Sequence, residues 1–244
     1  AMTAPLSPMA RLRYDVIARI LEAEEGAASF LEIGCGEGAL ATLLAERFEY
    51  VGYEPDEAAS AVAGARLSGH PAARVVNAVL PDTPSRTFDV IGAFEVLEHL
   101  ENDAAALAHW VHWVRPGGLV IVSVPAHQHR FGGADEAVGH YRRYSRAGIT
   151  DLLAGAGLVG AEVVAYGFPL GYALEWVRNR ILARRTEQAA DRTDRTAASG
   201  RTLQPGERMA GPIALATKPF VYLQRPFAET ERGTGWVATA RRPE

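Results

Sequence analysis

Glu95-Val96-Leu97-Glu98-His99 places two carboxylates and an imidazole within five residues. If helical turning starts at Glu95, that residue lies one turn from Glu98 and His99, and the three side chains can converge on one point. Groups of these types move protons or hold a divalent ion. A further ring, His140, stands in a polar stretch from His127 to Tyr144 that also carries His129, Asp135, Tyr141, Arg142 and Arg143. Upstream, Gly34-Cys35-Gly36-Glu37-Gly38 follows a short apolar run. Glycines there let the backbone approach a ligand closely and adopt positive φ. A helix opening beyond them offers free N–H groups. Glu54 comes 20 residues after Gly34, where a carboxylate can accept both hydroxyls of a ribose. Together these features point to an adenosine-containing ligand rather than a tight turn that holds nothing.

Such residues act only if strand ends bring them together. Apolar runs at 30–33, 50–53, 73–79, 88–94, 119–124, 161–166 and 236–240 read as strands. Helical spacing predicts helices over 9–25 and 39–48, one capped by Asn102 and running to about Trp113, and one capped by Ser145. The turn Arg115-Pro116-Gly117-Gly118 is expected to stop the helix before it. Strands alternating with helices imply a parallel sheet with right-handed crossovers. The last strand follows a gap of about 65 residues. The expected organisation is a core of 1–168 plus 234–244 and an insertion over 169–233. The insertion reads as a basic amphipathic helix (171–185), a mobile linker (187–206) and an apolar, proline-punctuated piece (209–227).

Composition narrows the function classes. The chain has 244 residues, 48% hydrophobic and 22% charged, with net charge -4. That is ordinary globular composition with no general field for nucleic acid, so no nucleic-acid partner is expected. A single cysteine, Cys35, excludes an internal disulfide or a cysteine zinc cluster. The amino-terminal stretch lacks a long apolar segment, so no secretory signal is read and a cytoplasmic location is expected. Residues 178–208 hold eight arginines against four acids. A basic helix of this kind suits a lid over the acceptor, peripheral contact with anionic lipid, or a homodimer surface.

LEIGCGEG, YEPD, FDVIGAFEVLEHL and VRPGGLVIVSVP, in that order, resemble the class I S-adenosylmethionine-dependent methyltransferases. The resemblance covers about residues 10–168 and the last strand. It implies an α/β fold: a Rossmann-like, doubly wound seven-stranded sheet, mostly parallel, with an antiparallel last strand and a helical insertion before it. It implies S-adenosylmethionine as cofactor, held by Glu32, Gly34, Cys35, Gly36 and Gly38 around the methionine moiety and by Glu54 and Pro55 at the ribose. Asn77, Ala78 and Val79 would flank the adenine, Phe94 would line the methyl-donor pocket, and Tyr14 would close over the cofactor. Relatives often carry an acid after the third strand; Asn77 stands near that place here.

The Glu-x-x-Glu-His stretch is similar to two metal-assisted branches of that family, the ubiquinone-biosynthesis O-methyltransferases and the small-RNA 2′-O-methyltransferases. By that analogy Glu95, Glu98, His99 and His140 would bind Mg²⁺, Mn²⁺ or Zn²⁺. Without metal, His99 or His140 would serve as general base, with Glu98 in the same catalytic group. His127, Tyr141, Arg142 and Tyr144 would meet a small-molecule acceptor, hydrophobic or acidic. The reading is methyl transfer to a small molecule, at oxygen first and at nitrogen or carbon as the alternative. Gly34, Gly36 and Ala39 also satisfy the dinucleotide fingerprint, which leaves a nicotinamide-dependent oxidoreductase and a non-catalytic cofactor-binding partner as alternatives.

Overall fold

The structure, a computed structural model, describes residues 6–183 and 207–244. The linker expected over 187–206 lies outside the described residues. Seven strands form one sheet in the order β3-β2-β1-β4-β5-β7-β6. They are β1 (Ser29–Ile33), β2 (Glu49–Tyr53), β3 (Ala73–Val76), β4 (Phe88–Phe94), β5 (Val114–Pro125), β6 (Val159–Tyr166) and β7 (Gly235–Arg241). β1 to β5 pair in parallel, whereas β7 runs antiparallel to both β5 and β6. Strand order reverses between β1 and β4, and in open α/β sheets that crevice is where ligands bind.

Period-two alternation sends side chains to two cores. Phe30, Tyr50, Val90, Ile121 and Val237 pack under α1 (Pro8–Glu22), whose Leu12, Val16 and Ile17 are buried against them. Leu31, Val51, Ile91, Val122 and Trp236 pack under α4 (Asp103–Trp110) and α6 (Arg146–Gly155). Side-chain caps set the starts of these helices. Ser7 accepts from Ala10 N–H at 3.2 Å, Asn102 from Ala105 N–H at 3.0 Å and Ser145 from Gly148 N–H at 2.9 Å. α3 (Glu57–Arg66) is capped by Asp56 in the same way.

Several boundaries differ from expectation. The helix expected over 39–48 is only α2, Ala41–Leu44: Leu40 at its start offers no side-chain cap, and the chain passes into a turn from Ala45. β3 stops at Val76, where Asn77 turns back and its amide donates to Glu54 O and Pro55 O at 3.0 and 3.1 Å. Arg115-Pro116-Gly117-Gly118 lies inside β5 instead of ending a helix, and Gly117 takes a φ of 69° there. The stretch 127–144 contains a short helix, α5 (Gly133–Ala137). In the insertion, α7 covers Leu170–Ala183. The proline-punctuated piece is a helix, α8 (Glu207–Leu223), with Pro212 and Pro219 inside it. α8 persists because it packs along α1: Phe220 and Val221 meet that core, and Gln224 just beyond donates to Leu12 O at 2.9 Å. Among the described residues no helix is long and apolar enough to cross a membrane.

Asp89 ties β1 to β4 at the end of the sheet opposite the crevice. One oxygen accepts from Ala28 N–H, Ser29 N–H and Ser29 Oγ–H at 3.0, 2.9 and 2.8 Å, and the other from Arg115 Nε at 2.7 Å. Burial raises its pKa, but the bonds from Arg115, Ser29 and the backbone outweigh that and hold it at about 2. Asp89→Ala should destabilise the fold by about 1–3 kcal/mol, read as a lower urea midpoint. This contribution is present above the ordinary carboxyl range and lost as pH falls towards 2, so the variant and the parent should converge on acidification.

Candidate active site

The first glycine turn is fixed from below. Gly34 and Cys35 both donate their N–H groups to Tyr53 O, at 2.8 and 3.2 Å. Gly34 has φ 71°, and a Cβ there would sit 2.8 Å from Val96 Cγ2. Only glycine lets this turn lie against the exit of β4. Gly38 packs on Ala63 of α3 in the same manner, with a virtual Cβ 2.9 Å away. The Glu54 carboxylate, buried at the end of β2, accepts from Gly36 N–H at 2.8 Å and Asp56 N–H at 2.9 Å. Two strand ends are thereby locked to each other through one side chain.

A cavity of about 1290 Å³ runs along the carboxyl ends of the strands. Of the residues singled out by sequence, Glu32, Gly34, Cys35, Gly36, Glu54, Pro55, Ala78, Val79, Phe94, Glu95, Glu98, His99, His140 and Tyr141 line it. Six others do not. Tyr14 packs against the core under α1, near Glu46, Glu22 and Arg47. Gly38 and Asn77 support the turns described above. His127 bonds through Nε2 to Gly233 O at 3.0 Å. Arg142 pairs with Asp103 at 2.8 Å and donates to Glu101 O, and Tyr144 Oη–H donates to Asp103 Oδ2 at 2.6 Å. Those three hold the 127–144 segment onto α4 and the last strand rather than facing the cavity.

Glu32, Glu95 and Glu98 along this cavity are each in a different state. Tyr50 Oη–H donates to Glu32 Oε2 at 2.6 Å. Burial still dominates over Tyr50 and the nearby Arg13, and pushes the Glu32 carboxyl up to about 8. Glu95 has φ 59°, so no helix starts there. The helical turn begins only at Leu97 and is a 3₁₀ turn through His99. Glu95 Oε1 accepts from Ser123 Oγ–H and Tyr166 Oη–H, both at 3.0 Å, and meets Arg13 Nη1 at 3.3 Å. Burial opposes ionisation, but Arg13 and His140 outweigh it and keep Glu95 below the usual carboxyl range. Glu98 is driven far above that range by burial and then by Glu95.

Glu98, His99 and His140 form one cluster, with a ligand atom from each within 4.8 Å of the others. The two rings meet edge-on, their centres 4.7 Å apart, and His140 Nε2 stands 4.0 Å from Glu98 Oε1. Among the described residues, neither oxygen of Glu98, nor His99 Nδ1, has a hydrogen-bond partner. Burial first, then His140, lowers His99 to about 4, so it is neutral. Glu95 is turned out of this cluster towards Arg13. On its other side His140 bonds through Nδ1 to Asp135 Oδ1 at 3.1 Å. Arg143 donates from Nε to both Asp135 oxygens at 3.0 Å and from Nη1 to Glu175 of α7 at 2.9 Å. Burial pushes Asp135 up, but His140 and Arg143 bring it down to about 2.

Arg13, Ser123 and Tyr166 were not foreseen, nor were Asp135, Arg143 and Glu175 as supports of His140. Arg13 neighbours Tyr14, yet one helical step turns it by about 100° onto the cavity face. The charges of the 127–144 stretch were visible in the sequence; their pairing was not.

The sequence model of one family, described as a methyltransferase domain, matches residues 8–163. The chain belongs to that methyltransferase family. This methyltransferase domain is 33% identical over 148 residues to a probable S-adenosylmethionine-dependent methyltransferase of Mycolicibacterium smegmatis, covering 59% of this chain and 57% of that protein. It is 35% identical over 124 residues to a ubiquinone biosynthesis O-methyltransferase of Alkalilimnicola ehrlichii, covering 49% of this chain and 50% of that one. The matched region thus spans about half the length of these relatives. The methyltransferase fold is also that of the N-methyltransferase NodS from Bradyrhizobium japonicum, solved with S-adenosyl-L-homocysteine. The TM-score is 0.59 at 16% identity, covering 98% of this chain and 89% of that one.

The folded methyltransferase keeps the Glu32 proton that the unfolded chain gives up near 4.5 and that the native site holds to about 8. Stability from this group is therefore present at low pH and falls as pH rises through that window. Glu32→Gln should gain stability relative to the parent between about pH 5 and about pH 8.5. Urea unfolding at the two pH values checks this, and a constant difference would contradict it.

Proposed function

We propose that this chain transfers the methyl group of S-adenosylmethionine to a hydroxyl of a small-molecule acceptor with the help of a divalent ion. The observation that carries this reading is the continuity of one cavity, from the glycine turn and Glu54 at one end to Glu98, His99 and His140 at the other. Bound S-adenosylmethionine supplies a methyl group on a sulfonium, and a bound divalent ion lowers the pKa of a hydroxyl and orients it. Glu54 accepts from the ribose hydroxyls at the cost of its present backbone donors. Glu32 meets the ammonium of the methionine moiety, and Ala78 and Val79 flank the base. Phe94 and Tyr166 line the cavity between the two ends and help exclude water there.

The donor set fits a metal. A buried polar group without partners is costly, and among the described residues the Glu98 carboxyl, held protonated by burial, presents two unpartnered oxygens beside His99 Nδ1, itself unpartnered. Glu98, His99 and His140 would hold the ion, with two imidazoles and a carboxylate suited to Mn²⁺ or Zn²⁺. His99 is neutral, as a ligand or a base must be. Arg13 keeps Glu95 ionised, and this ion pair borders the cavity. Leu174, Val177 and Arg178 of α7 border the acceptor end, which suits an acceptor with an apolar body.

Calorimetric titration with S-adenosylhomocysteine tests the donor end. Glu54→Ala should weaken binding by about 1.5–3 kcal/mol, the worth of hydrogen bonds to a charged group. Binding at about pH 7 should release a proton, because the ammonium lowers the Glu32 pKa from about 8; heats in two buffers of different ionisation enthalpy read it. Mn²⁺ or Zn²⁺ titrated into the saturated protein tests the acceptor end. Specific binding lost in Glu98→Gln supports the reading. If S-adenosylhomocysteine gives no heat, the methyl donor is wrong. If it binds and no metal does, the metal is wrong and His99 becomes the base for the hydroxyl proton.

A further inference from the structure

His140 has two ring nitrogens with different surroundings. Nδ1 faces Asp135, and Nε2 faces Glu98 and the His99 ring. Which nitrogen carries the proton decides whether a lone pair points into the cluster. The Asp135 carboxylate settles this by counting donors. Its Oδ2 accepts from Gly132 N–H at 3.0 Å and from Arg143 Nε at 3.0 Å. Its Oδ1 accepts from Arg143 Nε at 3.0 Å and faces His140 Nδ1 at 3.1 Å. An ionised carboxylate only accepts, so Nδ1 must donate.

We propose that Asp135 is the positioning residue of His140, fixing its neutral ring as the Nδ1–H tautomer so that Nε2 presents a lone pair towards Glu98 and His99. The support reaches beyond one contact. Asp135, His140 and Arg143 are 1%, 6% and 4% exposed. Arg143 is itself held by Glu175, which Arg130 pairs on its other oxygen. The chain of ion pairs therefore runs from α7 to the His140 ring. Asp135 does not line the cavity; it acts through His140.

Asp135→Asn makes a sharp prediction. The amide has one acceptor and one donating group. Gly132 N–H is a fixed donor and Arg143 cannot accept, so the amide oxygen must take the Oδ2 place. The amide nitrogen then faces His140. Of the groups around it, only the imidazole can change from donor to acceptor. Nδ1 should lose its proton, Nε2 should gain it, and the lone pair towards the cluster should disappear.

The experiment is two-bond ¹H–¹⁵N correlation on histidine-labelled protein with S-adenosylhomocysteine bound, at a pH where the rings are neutral, with the His140 signals assigned by their absence in His140→Gln. The parent protein should show His140 with Nε2 unprotonated, and Asp135→Asn should show the reverse. In parallel, Zn²⁺ affinity should fall about 10–100-fold in Asp135→Asn, while S-adenosylhomocysteine affinity stays unchanged. A parent protein with Nε2 protonated overturns the proposal without any variant. So does a variant that keeps the parent tautomer, and so does one that loses cofactor and metal binding together, which is a purely structural role. The metal arm rests on the metal-assisted reading above. If the parent binds no Zn²⁺, that reading fails on its own, and the tautomer still decides the role of Asp135.

Discussion

A carboxylate taken out of water needs a cation, a set of donors or a proton. Along two adjacent strands this chain buries Glu32 on β1 and Glu98 just past β4, with the partly exposed Glu95 close to Glu98. The elements around the cavity are arranged by how each is answered. Glu32 is answered by Tyr50 of β2 and by a proton. Glu95 draws in Arg13 from α1, Ser123 from β5 and Tyr166 from β6. Those contacts explain why α1 crosses the sheet where it does, and why the end of β6 lies so close to β4's exit loop although two strands separate them. Glu98 keeps a proton because of burial and the nearby Glu95, yet neither of its oxygens finds a hydrogen-bond partner among the described residues, which sets it apart from the other two.

The parts of this arrangement that could be read from sequence are those set by neighbours along the chain. The glycine turn between a strand and a helix, the acid closing the next strand, and the caps at Asn102 and Ser145 each depend on a few consecutive residues, and they stand where expected. The seven strands and the antiparallel last one also follow, the latter through the family resemblance. The convergence of Glu98, His99 and His140 was legible as residue types but rested on a wrong local picture. A helical turn starting at Glu95 would bring its side chain in with them, yet its left-handed backbone throws that side chain to the other side. A helix-spacing rule cannot see that reversal. Arg13, Tyr166, Asp135 and Glu175 were illegible for a different reason. Their partners lie on other elements, and a single sequence gives no pairing.

α8 shows the same limit from the opposite direction. Two internal prolines argue against a helix by local rules, and the packing of Phe220, Val221 and Gln224 along α1 overrides them. Together α7 and α8 turn the insertion into part of the site's frame. α7 walls the cavity with Leu174, Val177 and Arg178 and also supplies Glu175 to the ion pairs behind His140. One helix thus walls the cavity and braces the His140 ring from behind.

β7 fills the slot between β5 and β6, pairing with both along its whole length. It also fastens the 127–144 segment: Ala126 N–H donates to Thr234 O at 3.0 Å, and Trp236 Nε1–H to Tyr144 O at 3.0 Å. Yet it is made long after β6, because the whole insertion comes between them. On a ribosome the strands that carry the glycine turn and Glu54 can pair as soon as β4 has emerged. β5 and β6 must wait, with facing edges unsatisfied, for residues 235–241. Pairings of such sequence separation are slow to form, and open edges invite association with other chains. The order of synthesis therefore divides the molecule in time: the half that would bind the methyl donor can condense first, and the half that would receive the acceptor closes last.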